Sequence, residues 1–339
     1  MRFGLIGYGL WGRHHAAAFA AAPGATLASI ACASDETAVA AARDFPDVAV
    51  ERGYRALLAR PDVDAVAVVV PNHLHAEIGV AALEAGKDVL LEKPMATTLE
   101  GCDRLLAAAR TSGQVLSIGH ELRLSAQYGR VKTLIEAGEI GDPVYLAFSL
   151  FRFPFRPGSG GWRYDAARVG SWILEEPVHF FDFAMWYFEA VGDPVSVLAL
   201  GSSGARAAGM ADNFTAVLRF PGRGHAVITQ TLAGFEYHQL LHVTGTNGSI
   251  RSWWSGTLDR TRQAAFELRL DRPGRGRTET IPVAASGELV ELSEQARQVV
   301  AAFTERRPLC SGEDARKRIV VCLAAERSLR EGREIALSL

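Results

Sequence analysis

Arg2-Phe3-Gly4-Leu5-Ile6, followed at once by Gly7-Tyr8-Gly9-Leu10-Trp11-Gly12, reads as a short buried strand running into a glycine-rich turn. An Ala-rich helical stretch continues to a Pro23-Gly24 stop. GxGxxG in this strand–turn–helix setting carries far more weight than the bare pattern. Gly7 permits the tight turn, Gly9 lets backbone approach a pyrophosphate, and Gly12 lets the helix pack close to the strand. The helix start at Leu10-Trp11 offers free N–H groups and a partial positive charge to phosphates. A ligand-free βα turn is the plainer alternative, and the architecture that follows weighs against it.

Outward from that turn, strand-like runs recur at Thr26–Ala31, Ala65–Val70, Asp88–Leu91 and Val115–Ile118, with amphipathic Ala-rich stretches such as Leu74–Ala85 and Leu99–Thr111 between them. Several of these stretches carry end signals, such as Ala85-Gly86 and Ser112-Gly113. Continuous apolar strands alternating with helices predict a doubly wound parallel sheet covered on both faces, over residues 1–121. A short helix is predicted at Tyr54–Ala59, and one near Ala126–Ala137 leads into a different pattern. From Pro143 the pattern changes. Val144–Phe151, Val195–Gly201, Asn213–Phe220, Ala226–Leu232, Leu240–Thr244 and Ser249–Trp254 read as antiparallel strands, with turns at Pro221–Gly224 and Thr246–Gly248. Helices are predicted at Val178–Tyr187, Leu289–Glu305 and Glu313–Arg330, the last opened by Ser311-Gly312-Glu313-Asp314, a capping-box-like start. Residues 122–339 therefore form an α+β domain with a large, mostly antiparallel sheet. The basic loop around Arg272–Arg277 reads as a solvated turn.

The bulk numbers exclude several classes. With 48% hydrophobic and 22% charged residues in 339, a sizeable core is available and disorder is not indicated. A net charge of −2 draws the chain to neither nucleic acid nor anionic lipid. The longest apolar run, Ala65–Val70, is too short to span a membrane. The first strand begins at the N-terminus, so no signal peptide is expected, and Cys32, Cys102, Cys310 and Cys322 read as reduced thiols of a cytoplasmic protein. Lysine occurs only at positions 87, 93, 132 and 317, so a Lys at a suggestive place gains weight.

Three segments carry chemistry. Glu92-Lys93-Pro94 ends a predicted parallel strand, where ligands of open α/β sheets bind. Lys93 there either donates to a substrate hydroxyl or is a surface lysine before a turn. In Glu175-Glu176-Pro177-Val178-His179-Phe180-Phe181-Asp182, Pro177 suits a first helical position and His179 the first turn. The helix dipole disfavours the imidazolium, so His179 is a proton acceptor that Glu175 or Glu176 can orient, or else a buried interface histidine. Glu176-x-x-His179 has the form found in di-iron bundles, but those need a second copy; no metal is expected. The stretch Phe148–Asp165 interleaves Arg152, Phe153, Phe155, Arg156, Trp162 and Arg163, which suits either a wall for a hydroxylated or acidic ligand or a plain interface loop. His73 and His75 follow Pro71-Asn72 at a strand end, with Asn72 read as a helix N-cap. His75 and His120 are placed to line a cleft, while His14 and His15 sit on the first helix and His225, His238 and His242 in the sheet.

Together, GxGxxG at Gly7–Gly12, Pro71-Asn72-His73-Leu74-His75, Glu92-Lys93-Pro94, Trp162-Arg163 and Glu175-x-x-x-His179-x-x-Asp182 resemble the Gfo/Idh/MocA oxidoreductase family over nearly the whole chain. The resemblance implies a Rossmann domain followed by an α+β domain whose open sheet face mediates a homodimer or homotetramer. It also implies hydride transfer between nicotinamide and a carbinol carbon of a sugar, sugar acid or cyclitol. It makes Lys93 and His179 the proton-handling residues, with Glu175 in support. Cofactor contacts are implied at Gly7, Gly9, Leu10, Trp11, Gly12, Ser34, Asp35, Pro71, Asn72, His75, Glu92 and Lys93. Substrate contacts are implied at Lys93, His120, Arg152, Trp162, Arg163, Glu176 and His179.

Two departures stand out. Glu175 and Pro177 occupy places where relatives carry Asp and Gly, and Trp172 replaces a glycine, which would narrow a pocket. The place of the ribose-binding acid, about 20 residues past the glycines, falls at Cys32, with Asp35 slightly late and no Arg beside Cys32 in the sequence. NAD(H) is the default cofactor, with NADP(H) left open. Two other functions remain on the same fold: a redox-recycling lyase or glycoside-cleaving enzyme, and a non-catalytic cofactor-sensing regulator.

Overall fold

The computed structural model describes every residue except 204–206, 208, 235–236, 262 and 275–277. The expected solvated turn at Arg272–Arg277 therefore lies partly outside the described residues. The chain forms two compact units, one of Met1–Glu121, Ala167–Gly170 and Leu292–Arg316, the other of Leu122–Ala166, Ser171–Glu291 and Lys317–Leu339. Sequence reading places one boundary after residue 121; the chain also returns two later segments to the first unit.

The first unit runs β1 (Arg2–Ile6), α1 (Leu10–Ala21), β2 (Thr26–Cys32), α2 (Asp35–Asp44), β3 (Ala49–Arg52), α3 (Tyr54–Leu58), β4 (Ala65–Val68), α4 (His75–Glu84), β5 (Asp88–Glu92), α5 (Leu99–Ser112) and β6 (Leu116–Gly119). Every residue of β4 and β5 is buried, which is why both read as unbroken apolar runs. The strands are all parallel, in the order β3-β2-β1-β4-β5-β6. The order reverses at β1, creating a switch point between β1 and β4 at the C-terminal ends of the strands. Helix ends follow local chemistry: Ser34 Oγ caps α2, Thr98 Oγ1 caps α5, and Gly113 (φ 70°) closes α5. On one face, Phe3 stacks on Phe19 at 4.4 Å and approaches Phe303 at 6.2 Å. Leu292, Ala296, Val299 and Phe303, spaced three or four apart, form the buried stripe of the helix that supplies Phe303. β3, an edge strand of only Ala-Val-Glu-Arg, carries no alternation and escapes a pattern reading. β4 stops at Val68, before the turn into Pro71.

The second unit adds α6 (Tyr128–Glu136), β7 (Pro143–Phe151), α7 (Trp172–Glu175), α8 (Val178–Tyr187), β8 (Ser196–Ser202), β9 (Asn213–Arg219), β10 (His225–Thr231), β11 (Tyr237–Gly245), β12 (Gly248–Gly256), β13 (Ala265–Asp271), β14 (Glu279–Thr280) and β15 (Ile335–Ala336). Helices α9 (Glu288–Thr304) and α10 (Gly312–Glu331) close the chain, with Ser311 Oγ accepting from the Asp314 N–H as the capping reading expects. The nine strands lie in the order β14-β13-β12-β11-β7-β10-β9-β8-β15, antiparallel except for β7 beside β10. Alternate residues Leu146, Phe148 and Leu150 of β7, with Ala226 and Ile228 of β10, are wholly buried. They pack on α8, whose Phe180 ring stacks on Phe148 at 4.0 Å. Nine of the ten α8 residues are buried, so its pattern is apolar all round. The opposite sheet face alternates polar with apolar residues and leaves Leu200 and Leu240 exposed. The sequence reading missed β13, although Phe266, Leu268 and Leu270 alternate along it; β14 and β15, two residues each, carry no pattern. Among the described residues no helix is long and apolar enough to cross a membrane.

Candidate functional site

The three glycines of the first turn do different jobs. Gly7 holds φ +101°, and a Cβ there would sit 2.1 Å from the Val69 carbonyl oxygen. A Cβ on Gly12 would lie 2.1 Å from the Gly7 carbonyl oxygen. Those two are required by the protein's own packing. A Cβ on Gly9 would meet nothing within 4 Å, so the space in front of the α1 N-terminus is open. Gly9 has no side chain to cap that helix, and Leu10 is 54% exposed. This backbone cradle fits a dinucleotide pyrophosphate, the partner that first-turn N–H groups and the helix dipole favour.

The parallel sheet brings the other expected residues of this unit to the same edge. Ser34 and Asp35 follow β2, Pro71 and Asn72 follow β4, Glu92 ends β5 with Lys93 next, and His120 follows β6. Their side chains are used unevenly. Ser34 Oγ accepts from the Thr37 N–H at 3.2 Å as the cap of α2. Asp35 pairs with Arg52. Asn72 is not the cap of α4: it lies in a short 3-10 turn, Asn72–Leu74, and its Nδ2 donates to the Val169 carbonyl at 3.0 Å. His75, 1% exposed, sets Nδ1 2.6 Å from the Pro94 oxygen and Nε2 2.9 Å from the Val70 oxygen. It ties the loop after β4 to the loop that carries Lys93, whose bond to Pro94 is cis. Glu92 turns inward, its Oε1 2.8 Å from Nε2 of the wholly buried His15. Burial alone would raise the Glu92 carboxyl, but the His15 bond and charge, the Lys93 charge and the Trp11 hydrogen bond hold it below the usual carboxylate range. The indole of Trp11, half-buried, stands edge-on to the His14 and His15 rings. Asn72, His75 and Glu92 thus brace the edge with their side chains, while Gly9 and Leu10 leave the α1 N-terminus open and Lys93 follows β5 at the same edge.

In the second unit His179 occupies the first turn of α8 and is 4% exposed; its backbone N–H donates to the Glu176 carbonyl at 3.0 Å. Glu175 and Glu176, both buried, are each matched by an arginine. Arg163 Nε donates to Glu175 Oε1 at 2.5 Å. Arg152 Nη1 donates to Glu176 Oε2, and Tyr237 Oη donates to Glu176 Oε1 at 2.5 Å. Arg152 also lies 3.8 Å from Asp259, beneath which Arg156 Nη2 approaches at 3.4 Å, and over the Phe155 ring at 4.3 Å. Burial works against the Arg152 cation, yet Glu176, Tyr237 and Asp259 outweigh it and raise its pKa. Burial and the Glu176 charge push Tyr237 well above the ordinary phenol range.

Arg152, Arg156 and Arg163 hint at an acidic ligand when read as sequence; in the structure Glu176, Asp259 and Glu175 neutralise them. Tyr237 and Asp259 are residues that the sequence reading missed, since 61 positions separate Tyr237 from Glu176 and no motif joins them. The Arg163 guanidinium lies 4.5 Å over the Trp162 ring. Trp172, expected to narrow a pocket, is 1% exposed; its Nε1 donates to the Arg163 carbonyl at 2.8 Å, so it supports the Trp162-Arg163 loop from within. The four cysteines are free and buried, and burial pushes Cys102 to about 12.

Residues 1–120 match the NAD-binding Rossmann-fold domain of the Gfo/Idh/MocA oxidoreductases, and residues 128–251 match the C-terminal domain of the same group. An uncharacterized oxidoreductase of Escherichia coli, YdgJ, is 36% identical over 74% of this chain and 70% of its own. A 1,5-anhydro-D-fructose reductase of Ensifer adhaerens is 33% identical over 74% of each chain. A myo-inositol 2-dehydrogenase of Thermotoga maritima is 28% identical over 99% of this chain and 98% of its own. The structure of a levoglucosan dehydrogenase with NADH and L-sorbose shares the fold, with a TM-score of 0.86 at 24% identity over 100% of this chain and 99% of that one. With the NAD-binding Rossmann domain matched over residues 1–120, the C-terminal domain over 128–251, and relatives above 30% identity over about three quarters of the chain, the protein belongs to the Gfo/Idh/MocA oxidoreductase family.

Proposed function

We propose that this oxidoreductase transfers hydride between a nicotinamide dinucleotide and a carbinol carbon of a neutral sugar or cyclitol. The observation that carries the reading is the edge of the first sheet, where the open Gly9 cradle and Lys93 stand at the C-terminal ends of β1 and β5. Relatives named for anhydrofructose reduction and inositol oxidation support the substrate class. Neutralisation of Arg152 and Arg163 by Glu176 and Glu175 favours a neutral polyol over a sugar acid.

The nicotinamide, when bound, supplies or accepts the hydride. The chain's residues handle the proton and the position. Lys93 Nζ–H donates to the carbinol oxygen and lowers its proton affinity. The His179 imidazole takes the hydroxyl proton during oxidation and returns it during reduction. Arg163 anchors Glu175, and the Arg152–Glu176–Tyr237 group fixes the backbone that leads into α8, so the imidazole is presented from a rigid helix start. His120 and Trp162 are assigned to substrate contact. The exposed Leu200 and Leu240 face of the second sheet is assigned to self-association as a homodimer or homotetramer, which light scattering of the purified protein checks.

The test is calorimetric titration with NADH, then a panel of neutral polyols and sugar acids followed at the nicotinamide absorbance. Tight NADH binding with turnover of a neutral polyol supports the reading. Turnover confined to sugar acids contradicts the substrate class, and product formation without net NADH change favours a redox-recycling lyase.

A further inference from the structure

The position that would carry a ribose-binding acid is Cys32, a buried thiol that burial pushes above its ordinary range. No arginine sits beside it in the sequence, but the fold supplies one from the neighbouring strand. The parallel register of β2 and β3 sets Arg52 directly beside Cys32, and the Gly53 N–H donates to the Cys32 carbonyl at 3.0 Å, fixing that register at the strand ends. From there the Arg52 guanidinium meets the Asp35 carboxylate at the first residue of α2. The two side chains are 59% and 91% exposed. Ser34, between Cys32 and Asp35, commits its Oγ to capping α2; Asp35 and Arg52 form the ion pair at this strand end, with Glu36 next to Asp35 in the first turn of α2.

This is the strand end where the adenosine ribose of a dinucleotide lies when its pyrophosphate occupies the β1–α1 turn. A carboxylate accepts from ribose hydroxyls and repels a 2′-phosphate; a guanidinium binds that phosphate bidentately. The pair presents both, with no net charge, and an exposed ion pair opens at little cost.

We propose that Arg52 and Asp35 form a selectivity pair at the ribose subsite, with Arg52 receiving a 2′-phosphate and Asp35 the 2′-hydroxyl, so that this chain accepts NADP(H) as well as NAD(H). The proposal rests on the reading that the Gly7–Gly12 turn holds a nicotinamide dinucleotide, and its test separates the two.

The full-length protein and its Arg52→Gln and Asp35→Asn variants are titrated calorimetrically with NADH and NADPH, alongside thermal melting to confirm folding. The wild type binds both cofactors within about tenfold of each other. Arg52→Gln weakens NADPH by about tenfold or more, the size of one charge-assisted hydrogen bond, and leaves NADH unchanged. Asp35→Asn strengthens NADPH and weakens NADH. A wild type that binds NADH while NADPH binds more than about a hundredfold weaker overturns the proposal and leaves the dinucleotide reading intact. Equal loss of both cofactors in Arg52→Gln overturns it too, since the arginine then only staples β3 to α2. Failure of the wild type to bind either cofactor removes the dinucleotide reading itself.

Discussion

The two units build their chemistry by opposite means. The edge of the parallel sheet is made of backbone: Gly7 and Gly12 are dictated by carbonyl oxygens 2.1 Å from where a Cβ would be, and strand order alone gathers Gly9, Asp35, Asn72 and Lys93 at one edge. The start of α8 is held by side chains drawn from distant strands, with Arg152 of the segment after β7 and Tyr237 of β11 both closing on Glu176. The glycine turn is shaped by close backbone approach, Gly7 against the Val69 carbonyl and Gly12 against the Gly7 carbonyl, with no charge to balance. A site of paired buried charges is fixed by long-range matching, and losing one partner exposes the full cost of the other.

Replacing His179 by Ala asks whether the second region acts chemically at all. The expected loss in kcat is about 10²–10⁴-fold, with the NADH dissociation constant unchanged; near-normal turnover would remove His179 from the proton-transfer role. Breaking the buried pair is the next largest effect. Glu176→Gln or Arg152→Met alone is expected to cost ~3–5 kcal/mol in denaturant unfolding, and the double substitution much less than the sum. Additive costs would show that the two residues do not act as a pair.

The glycines sharpen the comparison from the other side. Gly12→Ala is expected to lower stability by ~1–3 kcal/mol, because the added methyl group meets the Gly7 carbonyl. Gly9→Ala should melt like the wild type yet bind NADH about tenfold or more weakly. Equal melting losses in both variants would contradict the division of roles. The smallest effect concerns acid. The Glu92 carboxyl is held low in the folded protein, so the unfolded chain binds its proton first. Its contribution to stability is complete above the unfolded value of about 4.3 and is lost as pH falls through the lower folded value. Glu92→Gln should flatten the decline of stability below about pH 5, measured by urea melts across pH.

The contrast explains what the sequence displays and what it hides. GxGxxG, the apolar runs of β4 and β5 and the alternation of β7, β9 and β10 express local periods, and they appear where expected. Four-residue β3 has no period, and it carries the Arg52 that stands beside Cys32 only once β2 and β3 pair. His179 was visible through its place near Pro177. The partners of Glu175 and Glu176 were not, because pairing across 12, 24 and 61 positions leaves no spacing signal. Asn72, His75 and Glu92 were rightly drawn to the strand ends, but only the folded geometry shows that their side chains bind the protein's own carbonyls and His15.

The central claim is tested most directly by supplying NADH deuterated at its transferable position together with the carbonyl form of a neutral sugar or cyclitol and locating the label by NMR. The account predicts deuterium on the new carbinol carbon, with one equivalent of NAD⁺ formed per product and the transfer all but abolished in His179→Ala. Label retained on the nicotinamide while product accumulates would contradict it.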